Sequence, residues 1–434
     1  MERIANKSKM VDKRYLLPFI LVTSLFALWG FANDITNPMV AAFQTLMELP
    51  ASEAALVQFA FYGGYATMAV PAALFIRRYS YKSGILLGLA LYAVGAFLFI
   101  PAAAQESFAF FCVSLYILTF GLAFLETTAN PLILSLGSKE TSTRRLNLAQ
   151  AFNPMGSLLG MSVASLIVLP RLLSDERDAA GEVLFHGLPD AEKAAIREHD
   201  LAIIRDPYVA LGLVVLAIFV IFLCVKIPDM QGHRRAQAST RSTLGNLWRN
   251  KPYRYGVVSQ MFYVAAQIMV WTFIIQYADN LGIDKATAQN YNIVAMSLFL
   301  CSRFITTFLM RFCKSSTLLA IFGCGAVSAS LGTIFIQGMA GLYCLVAISF
   351  FMSLMFPTIY GIALEGVSRE DTSLGAAFLV MAIVGGALMP PLQGMIIDQG
   401  TICGMPAVNV SYVLPLICFV IVTIYGLGCR KIQK

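Results

Sequence analysis

The chain predicts an all-α polytopic membrane protein: twelve transmembrane helices in two halves of six, with both termini cytoplasmic. Three observations carry this reading. First, only 13% of the 434 residues are charged while 58% are hydrophobic, and the mean hydropathy is +0.73. A soluble domain carries about 25% charged residues and needs polar cover for its surface. Second, apolar runs of about twenty residues recur, the length that crosses a bilayer. An outer-membrane barrel would instead alternate apolar and polar residues over about ten. Third, the longest basic, polar stretch between runs comes after the sixth, dividing the chain six and six.

The spans read, in order, 15–37, 53–76, 83–101, 108–136, 146–170, 206–228, 254–279, 288–312, 316–336, 340–365, 372–398 and 409–429. Span one follows a basic tail but is too long for a signal peptide, carries Asp34 and lacks a clean small-residue cleavage site; it reads as an uncleaved helix. Span two holds Gly63 and Gly64, and a short basic turn, Arg77–Gly84, joins it to span three. Span four holds Glu126 and ends in Asn130-Pro131. Gly156 and Gly160 on span five suit close helix packing. A polar outer loop, 171–205, leads to span six. The central loop, 229–253, is basic (His233, Arg234, Arg235, Arg241). In the second half, span seven carries Trp271 as span one carries Trp29. Span eight holds Arg303, span ten Phe356-Pro357 in echo of span four, and span eleven Gly385 and Gly386. Two parallel repeats related by an axis along the membrane normal have this layout. The domains therefore read as an N-terminal bundle, 1–228, the loop, 229–253, and a C-terminal bundle, 254–434.

Orientation follows from Lys and Arg, which concentrate in cytoplasmic segments. With the N-terminus inside, 24 of the 31 fall on cytoplasmic segments, six on outer loops and one, Arg303, within a span. Nine acidic residues between Asp175 and Asp206 offset the five basic ones of the long outer loop. The net charge of +7 is thus a matter of topology, and no nucleic-acid partner is implied. The nine cysteines lie mostly in apolar runs and read as packing residues. No CxxC or HExxH spacing occurs, and the three histidines lie in polar loops, so neither a metal nor an embedded enzyme is expected.

Ionisable side chains at membrane depth cost roughly 2.5–3.5 kcal/mol each on insertion scales, and such residues mark function by default. Asp34, Glu126 and Arg303 are the three. A buried carboxyl favours its uncharged form, which suits Asp34 and Glu126 to exchanging protons as solvent access changes. The alternative is a carboxylate held by a cation such as Arg303. Amides cluster on the same spans: Asn33, Asn37, Gln58, Asn130, Gln150, Asn153, Gln260, Gln267 and Asn292. With Trp29, Tyr62, Tyr263 and Trp271 they suit a sugar, whose hydroxyls want donor–acceptor partners and whose C–H face suits an aromatic ring. For a single amide, helix–helix glue is the competing reading; Gln150 and Asn153, at i and i+3, share a face and favour substrate.

Several stretches carry a resemblance: Ala60-Phe-Tyr-Gly-Gly-Tyr65, Leu125-Glu-Thr-Thr-Ala-Asn-Pro131, Arg145-Leu-Asn-Leu-Ala-Gln-Ala-Phe-Asn153, Ala265-Ala-Gln-Ile-Met-Val-Trp271 and Phe378-Leu-Val-Met-Ala-Ile-Val-Gly-Gly386. Over nearly its whole length the chain resembles the L-fucose–proton symporter family of the major facilitator superfamily, which includes glucose/galactose permeases. The resemblance implies two six-helix bundles, alternating access, and import of a monosaccharide with a proton. Its essential span-four glutamate matches Glu126, its span-five amides Gln150 and Asn153, and its span-seven tryptophan Trp271. Three features depart from the pattern. The basic turn Arg77–Gly84 lacks the acidic residue of the superfamily's loop motif. In the fucose members span one reads Asn-Asn-Leu-Asn-Asp, the essential aspartate last; counted from Trp29, that aspartate falls on Asn37 and an asparagine on Asp34. Acid and amide have exchanged places about 4.5 Å apart on one helix face. Finally, Phe356 stands where the family has a tyrosine before the span-ten proline.

The expectations are therefore these. The protein is a proton-coupled monosaccharide importer of the bacterial cytoplasmic membrane, most similar to L-fucose permeases, with a glucose/galactose transporter or a drug–proton antiporter as alternatives. Glu126 and Asp34 couple the proton. Gln150, Asn153, Asn130, Asn37, Asn33, Trp29, Tyr62, Gln267, Trp271 and Phe356 bind substrate. The coupling proton replaces any cofactor, and the partners are the sugar, protons and the lipid bilayer, with the protein acting as a monomer.

Overall fold

In a computed structural model, which describes residues 10, 11, 13–49, 56–176, 184–225, 227, 240–283, 285–368, 371–397 and 399–432, the chain is built almost wholly of helices. Span one is Leu16–Leu46. It runs nine residues beyond the expected end because Phe43 and Leu46 are buried, with Phe43 packed on Phe108 and Phe111 of span four at 5.9 and 4.8 Å. Span two is Leu56–Arg78. Span three is Tyr81–Phe97 with Phe99–Ala104, and Ser80 caps it by accepting from Ser83 N at 3.1 Å. Span four is Phe108–Ser135, capped in the same way by Ser107. Span five is Ser142–Gln150 and Phe152–Val163, broken at Ala151 and closed by a wide π turn, Ala164–Val168.

Span six, Asp190–Cys224, begins sixteen residues before its expected start and takes up much of the expected outer loop. Two features explain the extension. Asp190 and Glu192 in the first turn complement the helix dipole, and Ala191, Ala194 and Ala195 are strong helix formers. The buried Asp200 then ties the helix down, accepting from Leu173 N at 3.0 Å and Ser174 N at 2.9 Å. The expected central loop is also partly helical. Thr240–Arg249 is a helix that buries Leu247 and bonds through Asn246 to Asp371; His233, Arg234 and Arg235 lie outside the described residues.

Span seven is Lys251–Thr272 with Ile274–Asp279, span eight Lys285–Leu309 and span nine Ser315–Phe335. Span ten is Met339–Met352 with Met355–Glu365; span eleven is Thr372–Met381, a tight turn and Gly385–Ile397. A short hairpin, Thr401–Ile402 against Met405–Pro406, precedes span twelve, Ala407–Ser411 with Val413–Ile432. Among the described residues eleven helices are long and apolar enough to cross a membrane. Span seven falls short of that apolarity because Gln260, Gln267 and tyrosines such as Tyr255 and Tyr263 interrupt it.

Packing repeats between the halves: span one lies on span five as span seven lies on span eleven, and span three on span six as span nine on span twelve. Gly156 brings span five so close to span one that a Cβ there would stand 1.8 Å from Ala27 O; Gly385 does the same for span eleven, 2.2 Å from Met261 O. Across the halves, span two faces span eleven and span five faces spans eight and ten. At one end these surfaces are bonded together. Arg144 Nε donates to Thr307 O at 3.2 Å, Asn147 Nδ2 to Thr358 Oγ1 at 3.1 Å, and Arg303 Nη1 to Gln150 O at 3.1 Å.

A polar cavity between the two halves

Above this bonded end a cavity of about 140 Å³ lies between the halves. The first half supplies its acids and most of its amides: Trp29, Asn33 and Asp34 from span one, Tyr62 and Tyr65 from span two, Glu126 from span four, and Gln150, Asn153 and Ser157 from span five. The second half faces them with Gln267 and Trp271 of span seven, Phe299 and Arg303 of span eight, and Phe356 of span ten. Residues one helical turn apart pair repeatedly along this lining, as with 29 and 33, 267 and 271, or 299 and 303.

Both carboxyls are enclosed, Asp34 at 7% and Glu126 at 9% exposure. Asp34 lies within electrostatic reach of the Tyr62 hydroxyl, and Glu126 of Tyr65 and Tyr360. Glu126 lies within electrostatic reach of the Asn130 amide, whose Nδ2 makes no hydrogen bond among the described residues, and Asn130 Oδ1 accepts from Gln150 Nε2 at 2.9 Å. The Gln150 backbone carbonyl in turn accepts from Arg303. A polar chain thus runs from Asn130, beside the acid of the first half, to the cation of the second.

Among the described residues no carboxylate holds Arg303, the alternative weighed from sequence. Its Nε donates to Ser353 O at 2.6 Å, its Nη1 to Gln150 O, and its guanidinium lies 4.7 Å from the centre of the Phe299 ring. Pro154 and Pro357, each four residues further on, have no N–H to bond these two carbonyls, and a buried arginine satisfied by carbonyls needs neither acid. Phe299 packs edge-on against Trp271 at 5.1 Å, and Trp271 Nε1 donates to Ser349 Oγ at 3.2 Å. Trp29 meets Phe26 edge-on at 4.4 Å. Its buried Nε1–H has no hydrogen-bond partner among the described residues, an uncommon state for a buried donor.

Residues 20–391 match the family described as the Major Facilitator Superfamily. The chain belongs to that superfamily. An L-fucose-proton symporter of Haemophilus influenzae is 64% identical over 427 residues, which cover 98% of this chain and the whole of that protein. An L-fucose-proton symporter of Escherichia coli is 32% identical across 98% of this chain and 95% of its own length. The crystal structure of a superfamily transporter, FucP, in its outward conformation superposes with a TM-score of 0.87 at 31% identity, covering 96% of this chain and 99% of that one. The protein is accordingly a multi-pass membrane transporter and not an enzyme, with the twelve-helix fold of its superfamily.

Against this superfamily frame the expected site residues separate. Asp34, Glu126, Gln150, Asn153, Asn33, Trp29, Tyr62, Gln267, Trp271 and Phe356 all line the one cavity. Asn130 does not: it is fully buried behind Glu126 and Gln150, and its proline-bearing turn sets it one layer back. The Asn37 and Gln58 side chains lie outside the described residues. Gln260 and Tyr263 are buried away from the cavity, Tyr263 donating to Met352 O at 3.0 Å, and Asn292 is likewise not among the lining residues. Asn153 serves both readings, since its Nδ2 holds Phe26 O at 3.3 Å while the side chain lines the cavity. Sequence reasoning missed Tyr65, Ser157 and Phe299 as lining residues. The signal was present in spacing, each being one turn from a residue already singled out. It missed Tyr360 too, fully buried behind the lining and within electrostatic reach of Glu126 from the other half, a proximity that leaves no local mark in the sequence.

Proposed function

We propose that the protein imports a monosaccharide together with a proton across the bacterial inner membrane by alternating access, with L-fucose as the hexose carried. The observation that carries this reading is a single cavity, between two helical halves, that gathers two enclosed carboxyls, several amides and two tryptophans. Amides offer donor and acceptor to vicinal hydroxyls, and the partnerless Trp29 Nε1–H is a donor awaiting an acceptor. The names borne by the relatives from Haemophilus and Escherichia support L-fucose in particular.

The bundles 1–228 and 254–434 rock against one another, joined by the central segment. The bonded end carries Arg144 and the start of span five, which positive-inside reasoning assigns to the cytoplasm; the cavity then faces outward. Glu126 accepts a proton from the outer side. Neutralised, it changes the field at the neighbouring Asn130, and Asn130 bears on Gln150, whose carbonyl anchors Arg303. Protonation and sugar therefore act on the same inter-half contact, which is the requirement for coupling.

The test is uptake of labelled L-fucose into proteoliposomes, with and without a pH gradient acid outside, and with other hexoses as unlabelled competitors. Accumulation above equilibrium only under the gradient is expected, with unlabelled L-fucose the strongest competitor. Equal uptake without a gradient would remove the proton from the mechanism, and stronger competition by another hexose would reassign the sugar.

A further inference from the structure

A second cavity, of about 500 Å³, opens on the outer flank of the first half between spans one, five and six. Its floor is the tight contact of Gly156 with Ala27, and its walls are apolar: Phe31, Leu159, Val163, Ile203 and Val214. The π turn Ala164–Val168 and the tight turn that follows supply Ile167, Val168 and Arg171 to its lining; such wide turns recur at functional sites. Arg171 stands at its mouth, exposed and without an ion pair among the described residues. Asp206, also at the mouth, is neutralised by Arg205, whose Nε and Nη2 donate to Asp206 Oδ1 at 2.9 and 2.6 Å. The mouth is thus net positive.

The dimensions select the occupant. Gly156 and Arg171 are about 22 Å apart along span five at 1.5 Å per residue, against about 15 Å for one leaflet's half of the hydrocarbon core. The slot therefore runs from mid-membrane to the headgroup level of one leaflet. The slot is walled by branched aliphatic side chains, Leu159, Val163, Ile203 and Val214. A flexible hydrocarbon chain fits, and a cation at the headgroup level is where a lipid phosphate lies.

We propose that this crevice binds one phospholipid, an acyl chain lying along Leu159, Val163 and Val214 with its phosphate on Arg171. The same turns of spans one and five that form its floor present Trp29, Asn33, Asn153 and Ser157 to the transport cavity on their other side. The lipid braces that wall from behind.

Native mass spectrometry of the purified full-length protein titrated with phosphatidylglycerol tests the site, with diacylglycerol as the phosphate-free probe. The wild type is expected to bind one phosphatidylglycerol at least tenfold more tightly than further copies, and more tightly than diacylglycerol. Arg171→Ala should remove the preference for the phosphate-bearing probe while keeping the chain. Ala210→Trp, which fills the slot, should remove the tight copy of both; Val214→Trp serves if the first variant does not fold. Equal, graded binding of many copies in the wild type and all variants means annular lipid only and overturns the proposal. So does a tight copy that survives both slot-filling variants.

Discussion

At the scale of single residues, the acids and amides of the central cavity make separable predictions. Glu126→Gln mimics the protonated acid, so it should abolish gradient-driven accumulation yet retain counterflow exchange, now insensitive to pH; undiminished accumulation would take the coupling role from Glu126. Asp34 faces the same cavity and lies deeper than the position where the resemblance sets the aspartate. Asp34→Asn should impair pH-dependent uptake, and adding Asn37→Asp should recover part of it. Wild-type transport by Asp34→Asn at every pH would make that acid a bystander. Gln150→Ala and Asn153→Ala should each weaken sugar binding by about 1–3 kcal/mol, the scale for stranding a buried polar partner. Calorimetry reads this directly, and unchanged affinity in both would return the amides to a packing role. The exchanged pair was legible from residue order alone. The relay through Asn130 to Arg303 was not, because it joins spans four, five and eight, its last link spanning 153 residues of sequence.

At the scale of elements, close approach at small residues does what apolar burial cannot do inside a bilayer, where lipid tails are as apolar as leucine. Span five meets span one through Gly156 with no room for a side chain. Gly156→Val should therefore cut the yield of monodisperse protein severalfold and lower its thermal midpoint; a wild-type yield and midpoint would show that the spans can separate without cost. Most of the spans were legible to within a few residues, but the nine-residue continuation of span one to Leu46 was not. The helical onset at Asp190 was not, since its charged residues read as a solvated loop until the buried contacts of Asp200, Leu201 and Ile204 are known. The break at Ala151 was likewise hidden; it falls between Gln150 and Asn153, both of which line the cavity.

For the whole molecule, the hydrogen bonds between halves at the end carrying Arg144 set which end of the cavity is shut. Asn147 is fully buried and spans the halves to Thr358, so Asn147→Ala should loosen that end. Spin labels at Ser142→Cys and Glu365→Cys, in a background stripped of the native cysteines, are expected to report a larger population of long distances in the variant. An unchanged distribution would leave the bond without a part in closure.

By itself the sequence determined the solvent, the number of crossings, their six-and-six division and the chemical character of the site. Each of these follows from hydropathy, charge bias and ionisable residues at membrane depth, which are local properties of the chain. Tertiary structure alone decided which amides face the cavity, that Arg303 is held by carbonyls instead of a carboxylate, and which end is bonded shut. Those depend on how helices distant in sequence rotate and approach, and in a bilayer that is set by packing at small residues and by buried hydrogen bonds, not by an apolar face turned from water.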